Sequence, residues 1–538
     1  MYCVAMLTDT STVGVLTSTP TAAASRFPFR AKTGVFSPRV RVAFQSASGP
    51  LAVAAVAAAA GLLAAPELIA PLSSYDGGIT ASAATFIRHG QIPYRDFWLL
   101  YGPLAGYLGA ALTAILGSSV LVLRLAGLAL VMIGAAVGYQ LIRGDGRSKR
   151  RALIAILAAA IPVYSNGLDL GSWQLGMTLA LLALLVGVRG TNRALLLAGG
   201  IVGLAALARL DLGAYAMVAL IIQARSLRPV IGAVLVFAPF AIFFVALTPV
   251  QALVQQLFWY PLVGQQQFRR VAGPTILGLF TDGENIMVWT IYYLPVFAIL
   301  GVVARRLRTG AIPTAFVGLT MLALLGRLQT VTRADLPHAA QVFGVGLLLT
   351  AYIIGEQNTF ARRMAMALPT AFLCGITVLP CRWFMVPKSD YDQALIQASA
   401  IVSSRTSPDE PIFVGEITNE NVVVNPLVVY FLADRRAGVL DTMYNPGITT
   451  TADTQALMVE QLASNHVRYL ILDREFAGCF EPSNGSGGTG STILDQAIAR
   501  NYVVVADYGS VVVMASRDSN PAPVDTSGWV DSEPPCRQ

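Results

Sequence analysis

The sequence predicts a polytopic α-helical membrane protein of about eleven transmembrane helices, followed by a C-terminal extracytoplasmic α/β domain. Three observations predict it. Hydrophobic residues make up 55% of the 538 and charged residues 12%, with a mean hydropathy of +0.62; soluble domains carry roughly 25% charged residues. Apolar runs of near-bilayer length recur between residues 51 and 386. After Pro387 the chain regains ordinary polarity and short alternating strand patterns. This composition excludes a soluble enzyme and a disordered chain.

The apolar runs are 51–72, 119–142, 152–167, 170–188, 194–208, 211–224, 229–247, 286–304, 311–326, 339–355 and 364–386. Several fall short of the roughly 20 residues a span needs, so they must tilt or lie inside the bundle. Residues 1–47 hold five Lys and Arg against the single acid Asp9 and read as a disordered basic cytoplasmic tail; a transit peptide or an early start codon would look similar. With that end inside, the basic clusters at 143–151, 189–193, 225–228, 305–308 and 362–363 all fall in the cytoplasm, as the positive-inside rule requires. One condition applies. The stretch Tyr101–Gly117, interrupted by Pro103 and several Gly, must lie along the outer surface as an interfacial helix. The 48–387 region is then the membrane domain, with 73–118 its first outer loop. Residues 388–518 form the outer α/β domain, and the Pro- and Ser-rich 519–538 a disordered tail. The location expected is the plasma membrane, multi-pass, in a bacterial cell.

The net charge of +7 (Lys+Arg 37, Asp+Glu 30) sits in short clusters between apolar runs, so no nucleic acid partner is expected. The five Cys are too scattered for a disulfide framework, and Cys374 and Cys381, seven residues apart on one predicted helix, are about 10 Å apart along it. No CxxC or HExxH spacing indicates a metal site. The glycine-rich stretch from Asn484 lacks the Lys of a phosphate loop.

The first outer loop carries the chemistry. Asp76 directly follows a span and begins a helical run, where the positive helix end favours a carboxylate. From the residue alone, a helix cap is the commoner use. The loop reads Tyr75-Asp76-Gly77-Gly78, then Gly90-Gln-Ile-Pro93-Tyr94-Arg95-Asp96, Tyr101-Gly102-Pro103, and Gly117-Ser118 with Arg124-Leu125 beyond. This pattern, over about 50 residues, resembles the GT-C glycosyltransferases, in the branch of the protein mannosyltransferases and the aminoarabinose transferase of lipid A. The span plan and outer C-terminal domain agree with a GT-C-like fold. One position departs: the family's usual second acid is Gly77 here.

The resemblance implies an inverting glycosyltransferase, hexosyl- or pentosyl-, that moves a sugar from a polyprenyl-phosphate donor to the hydroxyl of an extracytoplasmic glycan, lipid or protein. Asp76 is the base it implies; Asp96 is the alternative, or the two cooperate. A divalent metal ion is the one cofactor it leaves open, without identified ligands. Cations for the departing phosphate are sought on the outer side, where topology does not need them. Arg209, in Gly203-Leu-Ala-Ala-Leu-Ala-Arg209-Leu-Asp211, is one; a local pair with Asp211 is its bland reading. Arg333 and His338, in Arg333-Ala-Asp335-Leu-Pro-His338, resemble a family phrase; a solvated polar loop is the alternative. Arg88 lies about three turns along the Asp76 helix. Tyr94, Tyr101 and Trp259 are the candidate acceptor- or sugar-binding aromatics, although Trp259, with Arg269-Arg270 downstream, also suits the interfacial belt. Asp169 is a further candidate acid, whereas His89 and His466 have no nameable partner. Two rival functions remain: a transporter or flippase of lipid-linked sugars, which lacks the expected repeat, and a catalytically inactive scaffold, which Gly77 favours.

Overall fold

The computed structural model describes residues 48–70, 75–143, 149–264, 273–275, 286–334, 336–353, 390–420, 424–445, 447–474, 490–519 and 521. Both predicted tails, the run 364–386 with its two Cys, Arg269, Arg270, Asp335 and the loop from Asn484 lie outside them (the second tail but for Ser519 and Pro521).

Helices occupy each of the other predicted runs. They are α1 (Ser48–Ala64, continued by a 3-10 turn Ala65–Ile69), α4 (Val120–Ile142), α5 (Lys149–Ala160), α7 (Ser172–Gly187), α8 (Asn192–Ala208), α9 (Leu210–Ala224), α10 (Arg228–Leu247), α12 (Ile286–Thr309), α13 (Thr314–Thr332) and α14 (Leu336–Ile353). Shorter pieces are α2 (Asp76–Arg88) and α3 (Leu104–Leu116) in the first loop, α6 (Val163–Asn166), and α11 (Val250–Val254), which runs into a π-helical turn at Gln255–Trp259. Among the described residues, five helices are long and apolar enough to cross a bilayer: Gly49–Ile69, Val120–Ile142, Arg228–Leu247, Val288–Thr309 and Leu336–Ile353. The shorter apolar helices pack into the same bundle. At 1.5 Å per residue, the 13 residues of α3 reach about 20 Å, too short to cross a hydrocarbon core of about 30 Å alone; α3 packs along α2.

The C-terminal segment builds α15 (Asp390–Arg405), β1 (Phe413–Glu416), α16 (Val428–Ala433), α17 (Ala452–Ser464), β2 (Tyr469–Asp473), α18 (Ile493–Asn501), β3 (Tyr502–Asp507) and β4 (Val511–Ser516). The sheet order is β1-β2-β4-β3. The β1–β2 pair is parallel, and the two pairs to β4 are antiparallel. Val511, Val512 and Val513 are all fully buried, because helices cover both faces of this β-branched run.

This segment has one core of its own, around Phe413, Met458 and Leu470, and shares a second with the first loop. One cluster of buried side chains joins Ile79, Phe86, Phe97 and Trp98 of the first loop to Val428, Tyr430, Ile471 and Val513. Phe86 meets Tyr430 edge-on at 4.8 Å and Phe97 at 4.9 Å. Gly78 makes the docking possible: a Cβ there would stand 2.5 Å from the Val428 nitrogen, so only glycine lets α2 press against α16. Polar contacts complete the seam. Gln91 donates to the Ala437 carbonyl (3.2 Å) and accepts from its N–H (2.9 Å). The Trp98 backbone N–H donates to the Leu440 carbonyl at 2.7 Å.

The next residue, Asp441, is buried, which pushes its pKa up to about 7. Folding therefore favours its protonated form. Between the ordinary carboxylate value near 4 and about 7 the native state holds more protons than the unfolded chain, so stability falls as pH rises through that window, then levels off. Thermal unfolding from pH 4 to pH 8 should show this decline in the wild type, and Asp441→Asn should flatten it. An unchanged pH profile in the variant would assign the titration elsewhere.

Candidate active site

A cavity of about 160 Å³ opens between the first loop and the bundle. Its polar wall is Asp76, Tyr101, Asp169, Ser172, Trp173 and His338. Apolar residues line it too: Val131 and Gly134 of α4, Ala155 of α5, Leu181 of α7, Val345 and Leu348 of α14.

Asp76 is the first residue of α2; the N-cap position belongs to Tyr75. The side chain is exposed, at the end where the helix dipole favours negative charge. Gly77 also faces the cavity, and its missing side chain leaves that wall open. A second acid comes instead from another loop. Asp169, between α6 and α7, lines the same cavity. Burial raises its pKa, Arg124 lowers it, and Asp76 raises it again, so the two carboxyl groups feel each other. Arg124 is itself buried on α4 and donates to the Leu68 and Ala70 carbonyls, both at 2.9 Å, which ties the end of the first span beside Asp169. The sequence showed Arg124 only as part of a motif; no local signal indicates its contact with residues some 55 positions earlier.

Tyr101 is placed by a close approach. A Cβ on Gly102 would stand 2.1 Å from the Leu207 carbonyl oxygen, so glycine alone lets this loop lie on the end of α8. Arg209 stands there, in the extended link between α8 and α9. Its guanidinium stacks on Tyr101 (4.7 Å) and Trp173 (4.1 Å), both cavity walls. Its Nε donates to both Asp211 carboxylate oxygens, at 2.9 and 3.2 Å. One terminal nitrogen, Nη1, is buried without a hydrogen-bond partner among the described residues. The Asp211 pairing and the surplus donor capacity therefore coexist.

Other predicted site residues fall elsewhere. Asp96 is not part of the cavity wall. Arg95 donates to its two oxygens (2.8 and 2.7 Å) and the Ile92 N–H to one (2.7 Å). Burial raises its pKa, but these bonds outweigh burial and hold it below the usual range. It closes its own loop. Arg88 pairs with Asp434, which His89 approaches at 3.4 Å, and so joins α2 to the α16 end, outside the cavity wall. Tyr94 is buried with a positive φ of 69°, and its hydroxyl donates to the Tyr101 carbonyl at 2.8 Å. It is a strut for Tyr101 and has no surface to offer a sugar. Gln256, which nothing in its sequence surroundings marked, donates to the Tyr94 carbonyl and accepts from the Leu99 N–H, both at 3.0 Å. Trp259 is 47% exposed on the π-helical turn and outside the cavity wall, as a belt residue would be. Arg333 ends α13, half-buried and outside the cavity wall. His338, in the first turn of α14, does line it.

No protein-family profile matches the sequence, and no curated protein does. Solved structures do match. ArnT from Cupriavidus metallidurans, in the apo state, superposes with a TM-score of 0.53 at 15% identity, over 89% of this chain and 100% of that one. The Archaeoglobus fulgidus oligosaccharyltransferase AglB, in complex with an inhibitory peptide and a dolichol-phosphate, gives 0.50 at 14% identity, over 88% and 75%. The same enzyme tethered to an acceptor peptide gives 0.50 at 15%, over 90% and 75%. The chain has the GT-C fold. In this GT-C fold, Asp76, Asp169, Tyr101 and His338 converge on one cavity. Among the described residues, no three His, Cys, Asp or Glu side chains are grouped closely enough to hold a metal ion. The described residues therefore supply no ligand set for the divalent metal that the resemblance left open, and no step is routed through one.

Proposed function

We propose that this protein is an inverting glycosyltransferase that moves a sugar from a polyprenyl-phosphate donor to an acceptor hydroxyl on the outer face of the membrane. The observation that carries the reading is the cavity itself: a carboxylate at a helix N-terminus lines it together with a largely apolar set of side chains, inside a GT-C fold. An amphiphile with a polar head and a greasy tail matches both parts.

Asp76 takes the proton of the acceptor hydroxyl as its oxygen attacks the anomeric carbon. The bond from that carbon to the phosphate oxygen breaks with inversion, and polyprenyl phosphate leaves with the bonding electrons. His338 lines the cavity, and Arg209 stands behind the Tyr101 and Trp173 rings with a donor to spare. Both are placed to meet developing phosphate charge, a stabilisation worth several kcal/mol at a water-poor site (~2.7–4 for a single donor). The C-terminal segment, docked on α2, holds Asp76 in place and offers the surface nearest the acceptor. The charge distribution supports a cell-membrane location with the site and the α/β segment outside.

The test uses the full chain in lipid nanodiscs with polyprenyl phosphates carrying radiolabelled sugars, and scores label moved to cell-envelope glycans, lipids or protein. Transfer by the wild type is expected. No transfer from any donor, with lipid-linked sugar translocated instead, would favour a flippase; neither activity would leave a scaffold.

A further inference from the structure

Of the cavity's polar groups that the reaction above does not use, one has a buried oxygen without a hydrogen-bond partner among the described residues. Along α14, His338, Gln341, Val345 and Leu348 all face the cavity, at helical spacing. Gln341 lies three residues beyond His338, about 4.5 Å deeper. It is 9% exposed, and its Oε1 is buried without a hydrogen-bond partner among the described residues. Around it the lining is apolar: Val131, Met177, Leu181, Val345 and Leu348, with the Thr178 hydroxyl as a second polar feature.

A buried amide with an idle oxygen weakens a folded protein relative to an apolar side chain of the same shape. Its natural use is an occupant of the cavity that brings a hydrogen bond. The chemistry of that occupant is restricted. An amide carries no charge, so it is a poor partner for phosphate, which calls for cations. It presents an acceptor and a donor side by side, in either orientation of the group. Neighbouring hydroxyls of a sugar ring offer the matching pair.

Resting on the donor reading above, we propose that Gln341 is the residue that reads the transferred sugar, by hydrogen bonds to its hydroxyls when the donor's head lies between Asp76 and the bundle interior. It is a specificity determinant: it recognises the sugar and leaves the proton transfer to Asp76. A ring that presents no hydroxyl to the amide leaves the Gln341 oxygen unpaired, and discrimination against such a donor follows from that.

The variant is Gln341→Met, of similar length and without hydrogen-bonding capacity. The full chain in nanodiscs is titrated with bare undecaprenyl phosphate, and with undecaprenyl phosphates bearing glucose, mannose, arabinose or N-acetylglucosamine. The wild type should bind at least one sugar-bearing form more tightly than the bare lipid. Gln341→Met should weaken that form about five- to tenfold and leave the bare lipid unchanged. Without ligand, the variant's melting temperature should equal or exceed the wild type's. Equal losses for bare and sugar-bearing lipid, no loss at all, or a lowered melting temperature would overturn the assignment of Gln341 alone. A wild type that binds no polyprenyl phosphate, with or without sugar, overturns the donor reading and takes this inference with it.

Discussion

Asp76→Asn should lower sugar transfer at least a hundredfold while the protein folds and binds polyprenyl phosphate as before. General-base contributions of about 10²- to 10⁴-fold set that scale. The substitution keeps shape and removes only the proton-accepting charge. Little structural damage is expected, because Asp76 is exposed and follows the N-cap residue Tyr75. The favourable interaction with the helix end amounts to roughly 0.3–1 kcal/mol. Asp96→Asn makes the contrast. It breaks the bonds from Arg95 and the Ile92 N–H that close the 92–96 loop, so it should lower the melting temperature while changing turnover only a few-fold. Single-turnover transfer beside thermal unfolding separates the two. If Asp96→Asn abolishes transfer in a stable protein and Asp76→Asn does not, the assignment of the base reverses.

Gly102→Ala is expected to have the second-largest effect, although it adds only a methyl group. The new Cβ would meet the Leu207 oxygen at 2.1 Å and its carbonyl carbon at 2.6 Å, and backbone cannot move aside as a side chain can. The loop must lift from the end of α8. Tyr101 then leaves the face of Arg209, and the cavity loses one wall. Overpacking of this kind destabilises by about 1–3 kcal/mol, and transfer should fall tenfold or more, since misplaced groups forfeit orientation. Gly90→Ala is the control. Gly90 has φ 79° with nothing within 4 Å of the added methyl, so only backbone strain of about 1 kcal/mol arises. Equal loss of activity in both variants would show that the contact with α8 does not matter.

The first loop shows what a motif conveys and what it leaves out. Asp76, Tyr94, Asp96 and Tyr101 stand in one short stretch, yet they do three different things. Asp76 and Tyr101 line the cavity, Tyr94 supports the Tyr101 carbonyl, and Asp96 closes a turn. A phrase marks that residues belong together. Which of them face the cavity depends on how the loop is clamped, here by Gln256 from one side and by α16 from the other. Arg88 illustrates the same point. Its position on α2 is legible, but its partner Asp434 lies 346 residues away. Gln341 went unnoticed because a glutamine in an apolar helix carries no signal until its surroundings leave its oxygen without a partner.

The sequence by itself determined where the apolar helices run and the place of Asp76 at the start of a helix. Those depend on local composition and period, which lie within a window of about twenty residues. The tertiary structure alone decided that Asp169 lines the same cavity as Asp76, that Arg209 stacks behind two cavity rings, and that the α/β segment shares a core with the first loop. Each of these joins residues from separate helices or from opposite ends of the chain. Close packing decides such contacts, and it acts between surfaces that have no adjacency along the backbone.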